Sequence, residues 1–279
     1  MLTPDQIDLY HRDGFVVPEF RVAAETLDAV RERHAALLER EPGFRDYCPT
    51  LLDYDAAFLD YADDPAILDM VSQLIGPDIA LWNMSFFAKP ALSGKRTPWH
   101  QDGEYWPIRP LATCTAWLAL DDSTPENGCL RVIRGSHTAR ALRAHNTLAS
   151  NDVTLTQELD PSEYDETDAV DIVLKAGQVS LHDVYLLHGS EPNRSPRPRR
   201  GMTMRFMPTT SVFDRELAQE KARRLGIVDH SDRQVYLLRG TDRSGENEFR
   251  FRERTSPASA RARAPRRQVH PDGYLSTRR

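Results

Sequence analysis

Residues 79–90 read IALWNMSFFAKP, and five further apolar runs follow: LATCTAWLALDD at 111–122, CLRVIRGSH at 129–137, VDIVLKAG at 170–177, VSLHDVYLLH at 179–188 and RGMTMRFMP at 200–208. Each run is short, rich in Trp, Phe, Val and Thr, and bounded by turn residues, which is the texture of β-strands. With no helical segments between most of them, the expected architecture is an antiparallel sandwich or barrel. Asn127-Gly128, between two of the runs, predicts a two-residue hairpin turn. The polar, acidic stretch 138–169 interrupts the series and is long enough to be a lid over a site or an excursion without structure.

Upstream, the pattern is helical. Thr3, Pro4 and Gln6 supply an N-cap, a first-turn proline and a capping-box amide, with a stop near Gly14. Ala23 to Glu41 carries Leu27, Val30, His34, Leu37 and Leu38 on one face, and another helix covers about 65–75. One more, 214–225, is expected after the last strand. The chain is therefore expected to be one mainly β domain over 1–249, with helices at about 3–76 packed outside it and an Arg-rich tail at 250–279.

Composition narrows the class. With 40% hydrophobic and 28% charged residues the chain is too apolar to be mostly disordered. No window approaches 18 consecutive apolar residues, and the N-terminus has no basic-then-apolar leader pattern, so neither a membrane span nor a secretory signal is expected. Cys48, Cys114 and Cys129 make an odd count without any CxxC, which fits a reducing, cytoplasmic setting rather than a disulfide scaffold or a zinc knuckle. The net charge of −6 is uneven: nine Arg against Glu253 and Asp272 make 250–279 about +7 and the body about −13. Such a tail is a candidate grip for nucleic acid, yet it lacks interleaved aromatics and any DNA-binding motif, so nucleic-acid binding is the lesser alternative.

Three H-x-D pairs occur: His100-Gln101-Asp102, His230-Ser231-Asp232 and His270-Pro271-Asp272. Only the first lies among the strand runs, in TPWHQDGEYW, where an extended backbone turns His100 and Asp102 to one face while the residue between them points away. A facial metal site with open positions needs a third ligand, usually another His from a different strand. His188 and His182 both qualify by parity along VSLHDVYLLH. Arg199, eleven residues after His188, favours His188, because an antiparallel neighbour entered through a short turn brings that guanidinium near the metal, where it can bind a carboxylate bidentately. Arg200 is the rival clamp, with the spacing in favour of Arg199. A metal with vacant positions beside a carboxylate clamp points to a keto-acid cosubstrate.

In LTPDQIDLYHRDGFVV, WHQDGEYW, ALDDSTPENGCLRVIRGSH and HGSEPNRSPRPRRG, taken in that order, the chain resembles the phytanoyl-CoA dioxygenase family of Fe(II)- and 2-oxoglutarate-dependent oxygenases. The resemblance runs from the N-terminus to about residue 208. It implies a double-stranded β-helix, or cupin-like jelly roll. It also implies His100, Asp102 and His188 as iron ligands and Arg199 as the partner of the distal carboxylate of 2-oxoglutarate. Trp117 and Ser190 match positions that line the cosubstrate pocket in the family, as do Asn83 and Lys89 in WNMSFFAKP. The departure is Arg134, where the family usually has proline before its GSH turn. The implied activity is hydroxylation of a small-molecule metabolite by O2, with release of succinate and CO2 and with ascorbate as a supporting reductant in vitro. A metal-dependent cupin-like isomerase or lyase that needs no keto acid is the alternative enzyme. Neither the primary substrate nor the oligomeric state is encoded in these motifs.

Overall fold

A computed structural model describes residues 1–251. The arginine-rich tail, from residue 252 onward, and the His270–Asp272 pair lie outside the described residues.

The N-terminal helix forms as its caps dictate. Pro4–Asp13 starts on a complete Thr3/Gln6 capping box and ends at Gly14, whose φ of +86° only glycine adopts without strain. Ala24–Arg40 buries Leu27, Val30, His34 and Leu37, and Pro65–Ile75 is capped by Asp64, which accepts from the N–H groups of Ala66 and Ile67. Together with the outer face of a large sheet these helices enclose the main hydrophobic core.

That sheet is built on two long strands. Ile79–Lys89 and Arg199–Pro208 pair antiparallel along their whole length, from Arg199 opposite Lys89 to Pro208 opposite Ile79. In order the sheet runs Phe15–Val16, Val179–Asp183, Cys114–Ala119, Arg199–Pro208, Ile79–Lys89, Val235–Arg239, Phe249–Phe251, with Tyr47–Cys48 also pairing to Ile79–Lys89. Period-two alternation gives it two unlike faces. Met84, Phe86, Ala116, Leu118, Met202, Met204 and Phe206 face the helices and join the core. The intervening positions, Ser85, Thr115, Trp117, Thr203 and Arg205, face the other way. A second sheet, ordered Ala169–Ile172, Leu130–Ile133, His188–Ser190, Thr97–His100, supplies the opposite wall of a cavity between the two.

Four expectations need correction. The strands flanking Asn127-Gly128 lie in different sheets, so this is no hairpin; Asn127 instead closes a 3-10 turn, Pro125–Asn127, where its Oδ1 accepts from the Thr124 N–H and its amide donates to the Asp122 carbonyl. VSLHDVYLLH is two strands, Val179–Asp183 and His188–Ser190, in different sheets; Asp183 breaks the run by accepting the Tyr185 N–H in an Asx turn. The strand of Arg199 is consequently not the neighbour of the strand of His188 but faces it from the other sheet. The helix Arg215–Leu225 does not close the structure either, because VYLLR at 235–239 adds to the edge beside Ile79–Lys89. Of the two readings of 138–169, the unstructured excursion falls away: His145–Thr147 pairs with Gln157–Leu159, and the segment is tied to the start of Thr97–His100 through Thr154 Oγ1 and Thr97 Oγ1 at 2.9 Å.

One core contact carries a pH dependence. His34 lies 4.3 Å, centroid to centroid, from Phe86 and is pushed down to about 4, by burial first and then by the charge of Arg200. The folded chain holds this imidazole neutral, so below the ordinary value of 6.5 the unfolded chain takes up a proton that the folded one refuses. Stability is therefore lost as pH falls from 6.5 toward 4, by on the order of 3 kcal/mol in total. Thermal melts at pH 7 and 4.5 should fall further apart for the wild type than for His34→Leu; an equal drop in both would remove His34 as the cause.

Candidate metal centre and cosubstrate pocket

His100 ends strand Thr97–His100, and its Cα partner across the small sheet is His188. This cross-strand pairing sets the two imidazoles side by side, ring centroids 4.1 Å apart. In each, Nδ1 faces a backbone carbonyl, Pro98 O at 2.8 Å and Leu186 O at 2.9 Å. A carbonyl only accepts, so Nδ1 carries a proton in both rings and Nε2 is the nitrogen turned toward Asp102. Burial first, and the neighbouring His100, hold the His188 ring well below the usual imidazole range and thus neutral. Asp102 follows in a 3-10 turn and brings Oδ1 to 3.6 Å from His100 Nε2 and 4.0 Å from His188 Nε2. One ligand atom from each of the three lies within 4.8 Å of the others. Burial alone would raise the Asp102 carboxyl. The neighbouring imidazoles of His100, His182 and His188, with the guanidinium of Arg205, outweigh it and hold the group well below the usual carboxylate range. Two nitrogen lone pairs and one carboxylate oxygen, each already oriented, form a donor set that suits iron(II).

The outer oxygen of Asp102 is held from the other sheet. Its Oδ2 is 3.6 Å from His182 Nε2 and 3.5 Å from the Thr115 hydroxyl, and His182 and Thr115 are themselves Cα partners. His182, the rival ligand by parity, thus touches the carboxylate on its far side and does not complete the triad. Gln101, between the two ligands, does point away, but into protein rather than solvent. Its amide donates to the carbonyls of Ala141 and Tyr185 and its oxygen accepts the Arg143 N–H, fastening the 138–169 stretch beside the metal ligands. The GSH turn pins the loop ahead of His188: Ser136 Oγ accepts the Leu187 N–H, and His137 Nε2 donates to the His11 carbonyl.

A cavity extends from the triad along the inner face of the large sheet. Arg199 lies at one end, 3% exposed; its Nε and Nη2 donate to Gly128 O at 3.0 and 2.8 Å, its Nη1 to Phe87 O at 3.0 Å, and Nη2 reaches Ser190 Oγ at 3.4 Å. Arg200, one residue on and hence on the opposite face, pairs bidentately with Asp121 at 2.7 and 2.8 Å. Trp117 and Ser190 line the cavity with Arg199. Lys89, the cross-strand partner of Arg199, is buried behind it and donates to the Lys95 carbonyl; burial, then the charge of Arg199, pushes it well below the usual lysine range. Asn83 is not brought to this end. It pairs across the strands with Arg205, near the triad, and donates to Ser85 Oγ.

Trp117 owes its pose to Gly201. A Cβ on Gly201 would come within 1.9 Å of the indole, and Arg199 Cζ lies 5.4 Å from the same ring. Gly201→Ala should therefore displace the ring, cost about 1–3 kcal/mol in overpacking, and weaken 2-oxoglutarate while leaving iron binding intact. Melting temperature together with separate titrations of metal and cosubstrate reads this; unchanged values would mean that the ring yields freely.

Two largely antiparallel sheets that enclose a buried His-Asp-His face, with an arginine at the end of the same cavity, define a candidate non-haem iron site. The family profile described as phytanoyl-CoA dioxygenase (PhyH) matches residues 10–201. The phytanoyl-CoA dioxygenase domain-containing protein 1 homolog of Dictyostelium discoideum is 30% identical over 61% of this chain and 62% of its own length. Among solved structures, the apo form of the non-haem monooxygenase ThoJ superposes with a TM-score of 0.68 at 28% identity, covering 88% of this chain and 87% of that one. The epimerase SnoN, in complex with Fe3+, alpha-ketoglutarate and nogalamycin RO, shares the fold at 21% identity, with a TM-score of 0.63 over 75% of this chain and 85% of that one. The chain belongs to the phytanoyl-CoA dioxygenase family and is a non-haem iron(II)- and 2-oxoglutarate-dependent dioxygenase.

Among the described residues no helix is long and apolar enough to cross a membrane, and Cys48, Cys114 and Cys129 are buried and free. The residues that sequence reasoning missed are His182 and Thr115 as supports of Asp102, Gln101 as an anchor, and Arg205. The last was signalled by alternation, since Arg199, Gly201, Thr203 and Arg205 interleave with Met202, Met204 and Phe206.

Proposed function

We propose that this enzyme hydroxylates a small-molecule substrate on a double-stranded β-helix scaffold, with His100, Asp102 and His188 as the iron ligands and Arg199 as the clamp for the distal carboxylate of 2-oxoglutarate. The observation that carries it is the placement of a buried His-Asp-His cluster and a buried guanidinium in one cavity, reached from facing sheets. Bound iron(II), with 2-oxoglutarate and oxygen, supplies oxidative decarboxylation to succinate and CO2 and the oxidation of a C–H bond. The protein's share is orientation. The carbonyls of Pro98 and Leu186 fix both imidazoles, His182 and Thr115 fix the carboxylate, and Trp117 with Ser190 shapes the cosubstrate end around Arg199. Lys89 acts behind Arg199, and Asn83 belongs to the substrate end of the same face.

Residues 1–249 act as one catalytic domain, 138–169 serving as a cover over the site and 250–279 as an appendage. The hydrogen bonds of Gln101 to Ala141 and Arg143 support the cover. Replacing 146–156 by a short Gly-Ser turn should raise 2-oxoglutarate consumption relative to product, because a less enclosed site turns over without substrate; unchanged coupling would refute the role. The function itself is tested by screening metabolites for succinate release with iron, ascorbate and 2-oxoglutarate present. Substrate-dependent succinate with a product heavier by one oxygen is expected, and a product lighter by two hydrogens would replace hydroxylation by desaturation.

A further inference from the structure

The inner face of the large sheet carries a second arginine, apart from the clamp, whose charge acts on Asp102 but which forms no ion pair with it. Arg205 is six residues beyond Arg199 on the same strand, roughly 20 Å along it at about 3.3 Å per residue. It lines the same cavity and is 4% exposed. Its Nη1 donates to Ser85 Oγ at 2.5 Å, whereas its Nε has no partner among the described residues. Burying a guanidinium in this way is costly unless something answers its charge. Here ring faces do so in part: Cζ lies 5.2 Å from the Trp106 ring, 5.8 Å from Phe87 and 5.9 Å from Trp82. Rings offset the charge but accept poorly from N–H groups.

The surroundings repeat the pattern. A β-bulge makes Trp82 the extra residue between Arg205 opposite Asn83 and Phe206 opposite Leu81, and so turns its indole toward Trp106, 4.8 Å away. Trp82 Nε1 is buried without an acceptor, as is Nη1 of Arg233, whose guanidinium lies 5.4 Å from the Trp82 ring. Three buried donors around one indole therefore lack an acceptor among the described residues.

Charge and register say which ligand is missing. Iron(II), Asp102 and the 2-oxoglutarate dianion leave one negative charge, which Arg199 neutralises, so Arg205 is the uncompensated charge among the cavity-lining residues. Arg205 is also the direct cross-strand partner of Thr115, whose hydroxyl supports Asp102. An anion on Arg205 is thus anchored about one strand spacing, ~4.8 Å, from the support of the metal site and at the end of the cavity away from Arg199.

We propose that Arg205, walled by Trp82, Trp106 and Phe87, is the anchor for a substrate carboxylate, and that this enzyme acts on a small carboxylic acid with an apolar or aromatic body. The proposal rests on the oxygenase reading and names the substrate class for it. A monoanion matches the single uncompensated charge, and Phe87 in the cavity lining, with the two indoles packed around the guanidinium behind it, matches an apolar body rather than a sugar or a nucleotide.

The test uses the full-chain protein loaded anaerobically with iron(II) and 2-oxoglutarate. The visible charge-transfer band of that complex is recorded first; its absence would overturn the oxygenase reading, independently of the role of Arg205. Benzoate, phenylacetate and indole-3-acetate, their primary amides, and inorganic phosphate are then titrated by calorimetry and tryptophan fluorescence. At least one carboxylate should bind at least tenfold tighter than its amide. Arg205→Gln should erase that preference while the 2-oxoglutarate Kd stays within twofold, and Arg205→Lys, which keeps the charge should Gln fail to fold, should retain it. Equal binding of acid and amide, binding of none of the carboxylates, or a preference that survives Arg205→Gln would overturn the proposal. Tighter binding of phosphate than of every carboxylate would overturn the carboxylate assignment, and a tenfold loss of 2-oxoglutarate affinity in Arg205→Gln would make Arg205 a cosubstrate residue instead.

Discussion

His188→Ala should abolish turnover and reduce iron affinity by more than the roughly 10–100-fold typical for loss of an outer-shell partner. In the proposed site the ring supplies one of three donor atoms, and among the described residues no other side chain joins the cluster. His182→Ala is the informative comparison, because His182 Nε2 lies 3.6 Å from the far oxygen of Asp102. Its loss should weaken iron by about 10–100-fold and leave residual turnover when metal is saturating. Iron titration followed by succinate assay at excess metal reads both. Full coupled activity in His188→Ala with its loss in His182→Ala would transfer the ligand role to His182.

Arg199→Ala should raise the KM for 2-oxoglutarate by at least about 30-fold, equivalent to ~2–5 kcal/mol for leaving a carboxylate unpaired in a desolvated pocket. Iron affinity should change little, since Arg199 contacts backbone carbonyls and Ser190 but no triad residue. Arg199→Lys should recover only part of the loss, because an ammonium restores the charge and not the planar fork. Arg200→Ala should affect stability alone, its guanidinium being committed to Asp121. A cosubstrate KM that responds to Arg200 and not to Arg199 would reverse the assignment.

Where local chemistry governs, the sequence was readable. The Thr3–Pro4–Gln6 cap, the 65–75 helix, the strand content of 79–208 and the isolation of His100 and Asp102 from two other H-x-D pairs all follow from rules that act within a few residues. What eluded it depends on which sheet a segment joins. VSLHDVYLLH looks continuous because Asp183 is the only polar break after His182, yet that Asx turn passes the chain to the facing sheet and sets His182 and His188 against different oxygens of Asp102. Asn127-Gly128 carries the same local signal as a hairpin and instead closes a crossing turn, whose Gly128 carbonyl then receives Arg199. Arg205 was legible as an inward position but not as an unpartnered cation, because its rings come from Trp82, Phe87 and Trp106, which only tertiary packing unites.

The two-faced sheet also separates heritable tasks. In strands Cys114–Ala119 and Arg199–Pro208, odd positions such as 115, 117, 203 and 205 meet the cavity, while even ones such as 116, 118, 202 and 204 meet the helices. A point substitution in these strands thus changes either what the protein recognises or how firmly it folds, seldom both. A lineage built on this sheet is free to explore new chemistries at odd positions while its even positions hold the scaffold constant, and a laboratory library randomised only at the odd positions should retain folded members at a far higher frequency than one randomised at the even positions.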